Sequence, residues 1–257
     1  MGESVIVKIG SNVLVPNGRL NIGIINRIAE EICCLMQGGD RFVVVTSGAV
    51  RAGKTKTDMI MGKEKEDRVA VDQYLAFKGQ PRLMAHYTAA FGRYGIECGQ
   101  LLLTARNFQD EENLSTVRRV ISMALAEGSV PVVNENDPIT AEELRNPFTD
   151  NDQLASLLST LIVPNRLIVL SDVPGFLLDT KDSSSVVPVI DDIDQYIPLV
   201  DKSAGNGKGG MLSKLNAAKT VTEVGTQMHI VSGTEPGVIT AIMDGSKQVG
   251  TRFPAKS

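Results

Sequence analysis

Six short runs of apolar, largely β-branched residues recur along the chain: Val5–Ile9, Phe42–Thr46, Gln100–Thr104, Val130–Val133, Leu167–Ser171 and Met228–Ser232. Several are apolar at every position. A strand with one wet face alternates apolar and polar residues, so continuous runs predict strands covered on both faces. Between them the period changes. Ile22, Ile25, Ile28, Ala29 and Ile32 recur at helical spacing, as do Leu154, Leu157, Leu158 and Leu161. Alternation of such strands and helices predicts an α/β fold with a largely parallel sheet and helices on both sides.

Punctuation refines this. Gly79 and Pro81 are expected to break the helical stretch between about Asp67 and Tyr94, with Pro81 in the first turn of a new helix. Asp179–Ser185, rich in Ser, Asp and Lys, reads as a loop, and the glycine-rich Gly205–Gly210 opens a helix running through Lys219. There is no internal repeat and no clear linker. The 257 residues are therefore expected to form one domain with two lobes.

Composition excludes several functions. The formal charge is −4 with no strongly basic tract, which argues against nucleic acid as a partner. No apolar run is long enough to span a membrane. The start, Met1-Gly2-Glu3-Ser4-Val5-Ile6, lacks the cationic end and apolar core of a signal peptide. Ile6 stands where a myristoylation signal wants Ser or Thr. A cytoplasmic chain is expected. Cys33, Cys34 and Cys98 form no CxxC pair, and His86 and His229 lie far apart, so no metal site or histidine triad is expected.

In doubly wound sheets ligands collect at the carboxyl ends of strands, and the unusual residues of this chain fall there. In VIVKIGSNVL, Lys8 interrupts an apolar strand and is followed by Gly10-Ser11-Asn12. A buried lysine needs a partner, and a phosphate would serve. An edge-strand lysine pointing to solvent would explain Lys8 equally well. VVVTSGAVRAG ends a strand in the small-residue turn Thr46-Ser47-Gly48-Ala49, a seat for a carboxylate or phosphate or simply a Ser47 cap. Gly48 to Thr55 also matches the P-loop pattern GxxxxGK[ST]. The residues between its glycines are helix formers or β-branched and suit a phosphate-cradling loop poorly.

VPVVNENDPI places Asn134-Glu135-Asn136-Asp137 where a strand stops. Such a cluster can receive an ammonium and donate to a carboxylate, or be a polar turn before Pro138. Thr149-Asp150-Asn151-Asp152 precedes a helix. Two carboxylates and an amide exceed what one helix cap needs, and they can position an amine or orient a lysine. In GNGKGGMLSKLNAAK, Gly209-Gly210 leads into a helix with Lys214 one turn in, an arrangement suited to a nucleotide phosphate.

Together these segments, with GQPRLMAHYTAAFGRYG and VLSDVPGF, resemble the amino-acid kinase family over Val5 to about Gly237. Within that family they are most similar to the enzymes that phosphorylate the side-chain carboxylate of free glutamate. NEND and DNDQLA are the most specific part. The resemblance implies a three-layer αβα sandwich with a mainly parallel central sheet and no P-loop. It implies an amino-acid-binding lobe over residues 1 to about 165 and a nucleotide-binding lobe over about 166 to 257; many members also carry a C-terminal PUA domain, which is not expected in this chain, ending at Ser257.

By the same resemblance, Lys8 and Lys214 contact the ATP phosphates and Asp150 holds the two lysines. Ser47, Gly48, Ala49, Asn134, Asp137 and Asn151 form the glutamate site. Gly10, Ser171 and Asp172 line the nucleotide site, together with Lys208, Gly209, Gly210 and Met211. Lys208 stands where relatives usually carry Thr or another small residue. Also implied are Mg²⁺ carried mainly by the ATP phosphates, a glutamyl phosphate reductase as partner, feedback inhibition by proline, and a homo-oligomer. Aspartate, N-acetylglutamate or carbamate are the alternative substrates. A non-catalytic nucleotide sensor and a P-loop NTPase are the alternative classes.

Overall fold

The computed structural model describes residues 2–54, 68–140, 151–200 and 210–256. Its central strand is β1 (Ser4–Ile9), followed by a short helix α1 (Ser11–Leu14) and then α2 (Ile22–Gln37). After β2 (Arg41–Val45) come α3 (Ala49–Gly53) and the long α4 (Arg68–Gly92). The chain continues through β3 (Cys98–Leu103), α5 (Glu111–Glu127), β4 (Val130–Glu135) and α6 (Asn151–Ile162). It closes with β5 (Arg166–Ser171), α7 (Met211–Glu223), β6 (Gln227–Ser232), α8 (Val238–Asp244) and β7 (Thr251–Phe253).

One sheet collects these strands in the order β3-β4-β2-β1-β5-β6-β7. Every pairing is parallel except β6 with β7. Because side chains alternate across a strand, each face has its own core. Val5, Val7 and Ile9 of β1 join Phe42, Val44, Ile168 and Leu170 under α1, α2, α4 and α8. Ile6 joins Val43, Val45, Leu167 and Val169 under α6 and α7, with α5 alongside. Each such Ile or Leu, fully buried, contributes about 1.5–3 kcal/mol. The two-sided burial predicted from continuous apolar runs is therefore observed, and the sheet with its two helical layers is the αβα sandwich. The six expected strands are present within two residues of their bounds. β7 was not foreseen, because three residues are too few to show a period.

The chain moves from β1 to β2 on one side of the sheet, and β5 returns to pair with β1 on the other. Strand order thus reverses between β1 and β5. Such a switch point opens a crevice at the strands' carboxyl ends.

The expected break near Pro81 does not occur, and α4 runs through it. Pro81 lies on the exposed face, and so does Phe77, whose carbonyl is the one left without a helical donor. Water can satisfy that carbonyl, which removes much of the usual penalty. Gly79 is a contact glycine instead of a breaker. A Cβ there would sit 1.8 Å from the Ala49 carbonyl oxygen, and one on Gly53 would sit 1.9 Å from that of Leu75. These two glycines let α3 and α4 pack backbone to backbone. Asp179–Ser185 is a loop as expected, folded on itself by hydrogen bonds from Ser184 and Ser185 to Asp182 and Asp179.

Candidate active site

Lys8 is on β1, paired with β2 through Val45 and with β5 through Val169. It is a central-strand residue, which removes the edge-strand reading. It points to the face covered by α6 and α7. There the Lys8 ammonium forms an ion pair with Asp152 Oδ1, and Lys214 Nζ lies 3.1 Å from Asp152 Oδ2. All three are buried: Lys8 is 5% exposed, Lys214 7% and Asp152 0%. Burial alone pushes the Asp152 carboxyl up. The Lys8 and Lys214 charges and hydrogen bonds outweigh it and hold the carboxyl below its ordinary value. The described trio sums to one positive charge, placed where an anion can meet it.

Among the described residues, the carboxylate between the lysines is Asp152. The resemblance assigned that task to Asp150, which lies outside the described residues. Helical register explains the place of Asp152. Asp152, Ala155 and Ser159 follow one another at i, i+3 and i+7, and all three are completely buried facing the sheet. That inward register was the signal in the sequence for Asp152.

Lys8 and Lys214 border a cleft of about 520 Å³ at the strands' carboxyl ends. On the β1 and β2 side it is lined by Lys8, Gly10, Ser47, Gly48 and Ala49. On the β4 side it is lined by Asn134, Asp137 and Asn151, and on the β5 side by Ser171, Asp172 and Lys214. Gly48 enters α3 at φ +87, a left-handed conformation that favours glycine, and a Cβ there would meet Val15 Cγ2 at 2.9 Å. Ser47 donates its hydroxyl to the Ile9 carbonyl, 2.8 Å, which ties the ends of β2 and β1 together.

Asn151 Nδ2 donates to the Thr46 carbonyl (2.7 Å) and to Asn134 Oδ1 (3.0 Å). This fixes the Asn134 amide so that Nδ2 is its free end. Asn134 is 1% exposed, and that Nδ2 has no partner among the described residues. A buried donor without an acceptor is unfavourable by about 1–3 kcal/mol, and a ligand oxygen relieves it. On the opposite wall, burial pushes the Asp172 carboxyl up. Hydrogen bonds from Asn12 and Ser171, with the nearby Lys214 charge, bring it below its ordinary value.

Gly210 caps the N-terminus of α7, and a glycine offers no side chain to its first N–H groups. Gly210 and Met211 are not part of the cleft wall. The Met211 side chain packs against the core layer of α5, α6 and α7, since Met211, Leu215 and Ala218 share the inward stripe of the helix. Lys208 and Gly209 lie outside the described residues. The P-loop reading fails on geometry, because Ala49–Gly53 is helix and Gly53 is pressed against the Leu75 backbone. Thr55, its last residue, is outside the described set. Asn12 and Arg51 are among the cleft residues that the sequence reading did not place in the site.

A mostly parallel αβα sheet with two lysines converging on one carboxylate at its switch point is an anion-handling site of phosphoryl-transfer type. Residues 3–232 match the model of the amino acid kinase family. The chain belongs to that family. It is 37% identical to a protein named glutamate 5-kinase from Chlorobaculum tepidum, over 98% of this chain and 69% of that one. It is 35% identical to a glutamate 5-kinase from Symbiobacterium thermophilum, over 98% of this chain and 95% of the relative. Among solved structures it resembles a carbamate kinase from Giardia, with TM-score 0.67, 15% identity and 99% of each chain covered. It also resembles isopentenyl phosphate kinase, with TM-score 0.64, 19% identity, and 97% and 99% covered. At those identities the two structures speak for the fold alone.

Proposed function

We propose that this chain transfers the γ-phosphoryl group of ATP to the side-chain carboxylate of L-glutamate, giving L-glutamyl 5-phosphate and ADP. The observation that carries the reading is the pair of buried ammonium groups on Asp152 at the cleft, together with relatives named glutamate 5-kinase over nearly the whole chain.

The chemistry is consistent with the site. A glutamate side chain titrates near ~4.3, so at neutral pH it is already an anion and needs no general base. The difficulty is bringing that anion to a polyphosphate. Lys8 and Lys214 offset the repulsion and stabilise the charge that spreads over the transferring group. Asp152 holds both ammonium groups in place. The free Nδ2 of Asn134 suits a substrate carboxylate, and Asp137 suits its ammonium. Asp172, at the end of β5, is an oxygen donor of the kind Mg²⁺ accepts. The ion would arrive with the nucleotide and supply further charge neutralisation.

An acyl phosphate hydrolyses readily, so a reductase that consumes it is the proposed partner. Proline as inhibitor, a homo-oligomer and a cytoplasmic location are proposed on the family resemblance. No helix among the described residues is long and apolar enough to cross a membrane.

The test is ADP release with glutamate, aspartate, N-acetylglutamate and carbamate, with the acyl phosphate trapped by hydroxylamine. Turnover with glutamate at least about tenfold above the others is expected. Nucleotide binding without ADP release for any acid would sink the reading, as would full turnover in Lys8→Ala or Lys214→Ala.

A further inference from the structure

Three loops follow three adjacent strands, β2, β1 and β5, and one side chain bridges them. Arg51 Nη1, on α3 after β2, donates to Asn12 Oδ1 at 3.0 Å. Asn12 Nδ2, on α1 after β1, donates to Asp172 Oδ2 at 2.8 Å. Asp172 closes β5, and its other oxygen accepts from Ser171 at 3.2 Å. All of these residues line the cleft.

The amide orientation follows from its neighbours. A guanidinium only donates and a carboxylate only accepts, so Asn12 has a single arrangement that serves both. An alanine there serves neither. An aspartate would keep Arg51 and set a second carboxylate against Asp172. Arg51 also reaches the Val15 carbonyl, 3.5 Å away. The backbone contact at Gly53 and Gly79 fixes α3, which carries Arg51, against α4. The bridge therefore has a firm anchor at one end and an ionised group facing Lys214 at the other.

We propose that Asn12 is a positioning residue through which Arg51, on the acid-substrate side of the cleft, sets the place of Asp172 on the nucleotide side. This rests on the reading that the β5 side of the cleft receives ATP. Arg51 then governs nucleotide affinity while touching no substrate atom. The bridge spans the switch point, where the two halves of the sheet diverge and no strand pairing joins the loops beyond it.

The experiment is a cycle of the full chain, Asn12→Ala, Arg51→Ala and the double variant. ATP affinity is read by titration calorimetry without glutamate, and KM for both substrates by steady-state kinetics. Asn12→Ala is expected to weaken ATP binding about tenfold, as for loss of one hydrogen bond to a charged group. Arg51→Ala should weaken it by about threefold or more, and the double variant should match Asn12→Ala within about twofold. KM for glutamate should stay within about twofold in all three.

Asn12→Asp is nearly isosteric and guards against a folding failure. It keeps the acceptor for Arg51 but sets a second carboxylate against Asp172, so it should weaken ATP binding at least as much as Asn12→Ala. Multiplicative losses in the double variant would overturn the proposal. So would a rise in KM for glutamate on Arg51→Ala with ATP affinity intact, or wild-type ATP affinity in Asn12→Asp. A wild-type chain that binds no ATP would instead remove the functional reading on which this rests.

Discussion

Lys8 and Lys214 stand far apart in the sequence, yet their ammonium groups lie on the two oxygens of one carboxylate, Asp152. Replacing that carboxylate tests both the fold and the function. Asp152→Asn leaves two buried cations facing each other, which should destabilise the protein by about 3 kcal/mol. It should also lower kcat by about 10²-fold, because neither lysine is held in place. The Asp152 carboxyl is held below its unfolded value, so its stabilisation is complete above the ordinary carboxylate range. It is lost as pH falls through the folded value. The gap in Tm between wild type and variant should therefore close in acid. A gap that does not depend on pH would show that the stabilisation is not ionic.

Asn134 offers a sharper probe of substrate binding than truncation would. Asn134→Asp keeps the shape and the acceptor for Asn151 but turns the free donor into a negative oxygen. KM for glutamate should rise at least about tenfold, with ATP affinity nearly unchanged. An unaltered KM would show that this buried amide does not meet the acid substrate.

Gly79→Ala tests the seating of α3 on α4. The added methyl would fall 1.8 Å from the Ala49 carbonyl oxygen and 2.7 Å from the Gly53 nitrogen. Backbone must move, at about 3 kcal/mol. For a chain of this size the melting temperature should fall by about 6–12 °C, measured by circular dichroism. Ala at Gly92, where nothing lies within 4 Å, is the control and should not lower it.

His229 on β6 is 6% exposed, and its pKa is lowered to about 3 by burial and then by the charges of Arg166 and Arg252. The unfolded chain takes up its proton near pH 6.5, long before the native state does. The native state gains most from this above pH 6.5 and loses it progressively from there toward pH 3. His229→Asn should make the acid limb of a stability-against-pH curve shallower over that window. An unchanged slope in urea titrations at pH 4, 5 and 6 would count against a buried neutral imidazole.

Much of this architecture was legible in the sequence because each apolar run is continuous. Burial on both faces leaves no polar position in Phe42–Val45 or Leu167–Leu170, so the parallel sheet could be read locally. β7 was missed because it survives by pairing with β6 and not by any pattern of its own. Pro81 misled because its effect depends on which side of a helix meets water. Asp152 could not be singled out by composition, and only its register with Ala155 and Ser159 marks it as inward-facing.

The amino-acid sequence by itself determined which residues carry charge into an apolar strand end and which small residues leave room beside it. Periodicity and side-chain chemistry act over a few neighbours, so they can be read along the chain. Tertiary structure alone decided that Lys8, Asp152 and Lys214 form one ionic unit, and that Asn12 joins Arg51 to Asp172. Those contacts depend on the order of strands in the sheet, which sets distances between segments that no local rule connects.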